Sequence, residues 1–192
     1  MFVHKTDQTV GLIKGGQIMS RIVPVPSPPQ SVAAIFEEIE GAFGRVPNLF
    51  KTYAHHPPLL QANWNKVKAV MMEGSLSQKM KQTIAVLVSR DNGCSYCIAA
   101  HTAALRSIGV TDEEISAIEE DPDKAEFSVK EKALIRFARK ANRDPLRIPA
   151  EEFASLRGAG ATDAEIVEAL GVMELFTAFN KFLDSLEVEL DF

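Results

Sequence analysis

Laying the sequence over itself with an offset of 51 positions matches Ser77–Ile115 to Ser128–Ile166 without a gap. Thirteen of the 39 pairs are identical, among them Ser77/Ser128, Lys79/Lys130, Ile84/Ile135, Leu105/Leu156, Arg106/Arg157, Gly109/Gly160, Thr111/Thr162 and Ile115/Ile166. Chance would give roughly one identity in fifteen. Each unit opens on a serine suited to cap a helix and carries an apolar face. It then stops on glycine and restarts with Thr-Asp-x-Glu-Ile. A duplicated helical hairpin must bury two equivalent apolar faces, and the compact solution is an all-α bundle of two tandem helix–turn–helix repeats.

The remaining segments agree. Pro24, Pro26, Pro28 and Pro29 mark an extended lead-in, and helices are predicted at 31–43, 48–55 and 59–72 before the first repeat. Within and after the repeats they are predicted at 78–91, 95–108, 112–119, 128–142, 149–157 and 163–186. Residues 1–23 read as a flexible N-terminal arm, and 24–192 as one domain with repeats at about 77–115 and 128–166. Sustained alternation of period two is scarce. The formal charge is −5, without a basic block, so a phosphate-binding surface for nucleic acid is not expected. No run approaches the 18 or so apolar residues of a bilayer span. The N-terminus has no apolar signal core, since Gly11, Lys14, Gly15 and Gly16 interrupt Val10, Leu12 and Ile13; a cytoplasmic location is expected.

The chemistry sits in one place. Both cysteines lie in Cys94-Ser95-Tyr96-Cys97, with His101 four residues on. On a helix starting near Cys94, the two sulfurs share a face at disulfide range, and the His101 ring can approach Cys97 from the next turn. Imidazole there can take the thiol proton and stabilise the thiolate as imidazolium. The segment thus offers a nucleophile (Cys97), a base (His101) and a resolving thiol (Cys94). A zinc site would use the same three with a fourth ligand such as His55 or His56, and two inert buried thiols are the third reading. The second repeat has Pro145, Ile148 and Glu152 at the equivalent positions and reads as scaffold.

The run Asn92 to His101 resembles the C-x-x-C-x-x-x-H signature of the carboxymuconolactone decarboxylase and alkylhydroperoxidase D superfamily. The likeness extends to Leu76–Arg90, to Leu105–Ile115, to Val46-Pro47-Asn48-Leu49-Phe50 and to Phe179-Asn180-Lys181-Phe182, the last two pointing to its peroxidase-related branch with two repeats. The resemblance implies a thiol peroxidase with Cys97 peroxidatic, Cys94 resolving and His101 in a proton relay. It needs no cofactor and no metal. Its implied partners are a hydroperoxide and an external dithiol reductant (lipoyl- or thioredoxin-like), in a homo-oligomeric trimer or hexamer. The family's relay glutamate, twelve residues before the first cysteine, is here Gln82, which can orient but not carry a proton. Slow turnover is expected unless a carboxylate such as Glu73 substitutes. Tyr96 stands where some members carry a further histidine. The other functions open to this sequence are a non-redox decarboxylase-like enzyme and a non-catalytic redox-sensing or zinc-binding oligomer.

Overall fold

A computed structural model describes residues 13–14, 17–18 and 20–191. Most of the expected arm therefore lies outside the described residues. A two-residue antiparallel ladder, Ile13–Lys14 with Gln17–Ile18, precedes the helices. From Ser20 onward the chain is tied down, since Arg21 N–H donates to Leu186 O at 2.8 Å and Ser20 Oγ accepts from Glu189 N at 2.9 Å.

The fold is all-α. The described helices are α1 (Ala33–Phe43), α2 (Asn48–Tyr53), α3 (Pro57–Val67), α4 (Gln78–Asn92), α5 (Ser95–Ser107), α6 (Asp112–Glu120), α7 (Val129–Arg143), α8 (Ala150–Gly158) and α9 (Asp163–Leu186). The helix predicted at 59–72 begins two residues earlier, where Pro57 and Pro58 fit a first turn that needs no N–H. It loosens into a π turn over Lys68–Met72. Helix α4 lies at the centre, packed against α5, α7 and α9. Its burial extends round most of the helix, with Ile84, Ala85, Val86, Leu87 and Val88 all at 1% exposure or less.

The duplication recurs in three dimensions, contact by contact. Ser77 and Ser128 cap α4 and α7, and Thr111 and Thr162 cap α6 and α9. Lys79–Glu114 and Arg106–Asp112 in the first repeat return as Lys130–Glu165 and Arg157–Asp163 in the second. Gly109 and Gly160 both turn the chain at φ near +90°, which a side chain would strain. Leu105 and Leu156, Ile84 and Ile135, and Ile115 and Ile166 are all buried. The copies diverge where the chemistry sits: α5 begins directly after Cys94, whereas a 3-10 turn at Pro145–Arg147 delays α8 to Ala150.

Around this hairpin pair, α1–α3 form a cover whose aromatic contacts run Phe43–Trp64–Phe50–Phe179. Trp64 is buried and its indole N–H donates to Glu38 at 2.8 Å. The apolar side chains of α9 are used within the chain. Ile166, Phe176 and Phe179 are core, while Leu170, Met173, Phe182 and Leu186 pack against it. No helix among the described residues is long and apolar enough to cross a membrane.

A buried ion pair ties α4 to α9 and to the segment that leads into α4. Lys81, 1% exposed, meets Glu168 of α9 at 2.9 Å and the carbonyl of Glu73. Glu168 also accepts from the backbone of Ser75 and Leu76. Burial pushes its carboxyl up, but Lys81 and those N–H groups outweigh it and hold the group below the ordinary carboxylate range. Gly74 is required beside it, because a Cβ there would fall 2.2 Å from Glu168 Oε1.

Candidate active site

Asn92 and Gly93 end α4 in a tight left-handed turn, with Gly93 at φ 79° and Cys94 N–H returning to Ser89 O at 3.0 Å. That turn leaves Cys94 at the N-cap of α5 and folds α5 back along α4. The count of twelve residues back from Cys94 therefore lands beside His101, and Gln82 Oε1 lies 2.6 Å from His101 Nδ1. With the amide presenting its oxygen, the imidazole proton sits on Nδ1 and Nε2 keeps its lone pair.

Both thiols are free and buried, and they touch each other. Cys97 and His101 line one wall of a cavity of about 350 Å³. Its remaining walls are largely apolar, built from Phe43, Phe50, Phe176 and Phe179, with Arg45 at the rim. The space exists because α5 presents Ala100, Ala103 and Ala104 on that side. Cys94 does not line the cavity; it lies behind Cys97 with no exposed surface.

The expected imidazolium at His101 needs correction. His101 does not hydrogen-bond the Cys97 sulfur; it bonds Gln82, and its ring stands edge-on to Phe176 at 4.2 Å between centroids. Nor is it an imidazolium: burial among apolar walls pushes its pKa down to about 3, so at neutral pH it is an uncharged base. The thiols are linked to each other. Cys97 donates to Cys94, so its S–H and N–H hold Cys94 below the usual thiol range, against the opposing effects of burial and the Asp184 carboxylate. Cys97 itself is pushed up by donating to Cys94 and by burial. The two thiols therefore titrate as a pair, with Cys97 the donor and Cys94 the acceptor in the contact. The carboxylate named as a substitute, Glu73, is exposed and is not the partner of His101.

Sequence reasoning missed the groups that do face the Cys97 sulfur, which are Ser89 of α4 and Asn180 of α9. It also missed a strap at the C-terminal end. Asp191 accepts from the Tyr96 hydroxyl at 2.7 Å and from Asn48 N–H at 2.9 Å, and its carbonyl accepts from Arg45. Burial and the nearby Asp191 both push the Tyr96 phenol up, so it stays protonated and donates. No cluster of three or more His, Cys, Asp or Glu side chains suited to a metal ion occurs among the described residues.

Residues 58–140 match the model of the carboxymuconolactone decarboxylase family. An alkyl hydroperoxide reductase of Mycobacterium tuberculosis is 29% identical over 82 residues, covering 43% of this chain and 24% of the relative. An uncharacterised protein of Bacillus subtilis, YdfG, is 28% identical over 86 residues, covering 44% of this chain and 58% of its own. The chain thus spans about a quarter and a little over half of these relatives. Among solved structures, a peroxidase-related protein from Silicibacter is similar over 91% of this chain and 93% of its own, at 26% identity and a TM-score of 0.81. A peroxidase-related protein from Ralstonia eutropha, described as an alkylhydroperoxidase core, is similar over 90% and 93% of the two chains, at 26% identity and a TM-score of 0.80. The debrominase Bmp8 shares the fold, at 19% identity, a TM-score of 0.75 and coverage of 90% and 94%.

Proposed function

From its membership of the carboxymuconolactone decarboxylase and alkylhydroperoxidase D superfamily, we propose that this chain is a thiol peroxidase in which Cys97 is the peroxidatic residue, Cys94 resolves and His101 moves the proton. The observation that carries this reading is positional. Of two sulfurs in contact, only Cys97 lines a cavity, and the cavity's unprotonated imidazole nitrogen belongs to His101. A peroxide reaches Cys97 first and Cys94 only through it.

The steps balance. The Cys97 sulfur attacks the outer oxygen of a hydroperoxide and the O–O bond breaks. The proton shed by the thiol passes through His101 Nε2 to the departing alkoxide, giving an alcohol and a sulfenic acid on Cys97. Cys94 then attacks that sulfur, water leaves, and a Cys94–Cys97 disulfide remains. Two electrons have moved from the dithiol to the peroxide. An external dithiol, lipoyl- or thioredoxin-like, restores the pair by exchange. Gln82 holds the His101 tautomer but adds no charge, which makes the base weak and turnover slow. A homo-oligomer, trimer or hexamer, and a cytoplasmic setting belong to the same proposal on the strength of the resemblance.

The test is peroxide consumption with a dithiol reductant. The parent should turn over, Cys97→Ser should not, and Cys94→Ser should react once and stop with a trappable sulfenic acid. A Cys97→Ser protein that consumes peroxide at the parent rate would remove the assignment. The zinc-binding alternative predicts stoichiometric metal instead.

A further inference from the structure

Behind the cysteine pair, on the side away from the cavity, a chain of hydrogen bonds ends at Ser89, whose carbonyl accepts from Cys94 N–H at 3.0 Å. Ser89 and Asn180 are 0% and 1% exposed, and both lie against the Cys97 sulfur. Asn180 Nδ2 donates to Ser89 Oγ at 3.0 Å. Asn180 Oδ1 in turn accepts from Asn92 Nδ2 at 2.9 Å. Asn92 Oδ1 accepts from Asn142 Nδ2, also at 2.9 Å. At the outer end Thr177 Oγ1 lies 2.8 Å from both Asn142 Oδ1 and Met173 O.

From Asn142 inward the short links all donate towards the sulfur, while Asn92 Nδ2 also reaches back to Asn142 Oδ1 at 3.4 Å. With its oxygen engaged by Asn180, the Ser89 hydroxyl proton is left for sulfur, and so is the second amide proton of Asn180. A flipped Asn180 amide would set its oxygen against the sulfur and its NH₂ against the NH₂ of Asn92. The orientation of Asn180 is therefore fixed by Asn92, and that of Asn92 by Asn142. Aligned chains of this kind polarise one another in a low-dielectric interior. We propose that Ser89 and Asn180 form a donor cradle for negative charge on the Cys97 sulfur, as thiolate and then as sulfenate, and that Asn142 of the second repeat orients it through Asn92.

This rests on Cys97 being the reactive thiol. It answers a difficulty left by the cavity side, where His101 is neutral and supplies no positive charge. A buried sulfur anion without donors is disfavoured by desolvation. The cradle supplies those donors from α4 and α9. It also changes the role of the second repeat. That repeat lacks the cysteines and histidine, yet its α7 sets the direction of the amide that faces the first repeat's sulfur. Asn142 aligns with Asp91 under the 51-residue offset, so the contact is not a relic of the duplicated pattern.

The experiment is the pH dependence of Cys97 alkylation by iodoacetamide in the full chain carrying Cys94→Ser, which removes the coupling between thiols. The titratable groups facing Cys97 in that background are Tyr53 of α2 and Tyr96 and His101 of α5, with Asp184 of α9 behind position 94. None is altered by the variants. Adding Ser89→Ala should raise the apparent pKa of Cys97 by about one unit and slow alkylation at pH 7 about tenfold. Adding Asn142→Leu, which touches neither cysteine, should move it the same way by a smaller amount, about threefold in rate. If Ser89→Ala fails to fold, Asn142→Leu carries the same readout. Coincident pH profiles in folded variants overturn the cradle. Peroxide consumption is scored separately: a parent that does not consume peroxide but shows the alkylation shifts sinks the peroxidase reading and leaves the cradle standing.

Discussion

Replacing Gln82 with glutamate should turn a weak relay into a stronger one. The amide oxygen lies 2.6 Å from His101 Nδ1, so a carboxylate oxygen in its place would keep the hydrogen bond and add a charge. At a charge separation of about 4 Å and an effective dielectric of about 20, that charge favours the protonated ring by about 4 kcal/mol. Burying the carboxylate offsets a good part of this, and carboxylate neighbours in proteins commonly shift a partner by about 1–3 units. The His101 pKa, now about 3, should rise to about 4–6. The ring stays mostly neutral at pH 7, yet Nε2 becomes about ten- to a thousandfold more basic. If half of that gain is felt in the transition state, single-turnover disulfide formation should accelerate about three- to thirtyfold. The assay mixes reduced protein with a hydroperoxide, quenches with acid at intervals and counts oxidised chains by mass, from pH 5 to 9. Superimposable rate profiles for parent and Gln82→Glu would show that His101 does not carry the proton, and the relay would have to be abandoned.

Other consequences concern stability. Lys81→Met strands the Glu168 carboxylate among its remaining partners, and should cost about 3–5 kcal/mol in urea unfolding. Leu156→Ala should cost about 2–5 kcal/mol, since Leu156 is as buried as Leu105 in the first repeat. His101 gives a pH signature. Its folded pKa of about 3 lies below the unfolded value near 6.5, so the unfolded chain binds the extra proton between them. Its contribution is complete above about pH 6.5 and drains away as pH falls towards 3. Glu168, held below the ordinary carboxylate range, loses its contribution only below about pH 4.5. His101→Leu should therefore flatten the stability curve between about pH 6.5 and 4.5 and leave the steeper loss below it.

Caps and repeats made the helices legible. Ser77, Thr111, Ser128 and Thr162 each begin a helix in the structure where a capping residue stood in the sequence. Gln82 could be placed beside His101 by counting, because one turn and two helices of known pitch fix that distance. Ser89, Asn92, Asn142 and Asn180 could not. Their contacts cross 50 to 91 positions of chain, and an asparagine near a helix end reads locally as a cap or a turn. The protonation of His101 was illegible for a related reason. The ring is neutral because Phe176 of α9 and the cavity walls surround it, and those walls arrive from five other helices. Asp191 was equally hidden, since nothing near it announces a hydroxyl partner at Tyr96, 95 positions away.

In the proposed mechanism Cys94 and Cys97 cycle together, one sulfur oxidised by peroxide and the other closing on it. Intact-protein mass spectrometry before and after one equivalent of hydroperoxide tests this most directly. The chain should lose two hydrogen atoms, gain no oxygen, and yield a single Cys94–Cys97 cross-linked peptide on digestion. A chain whose mass is unchanged, or which gains oxygen while both thiols remain unlinked, would contradict it.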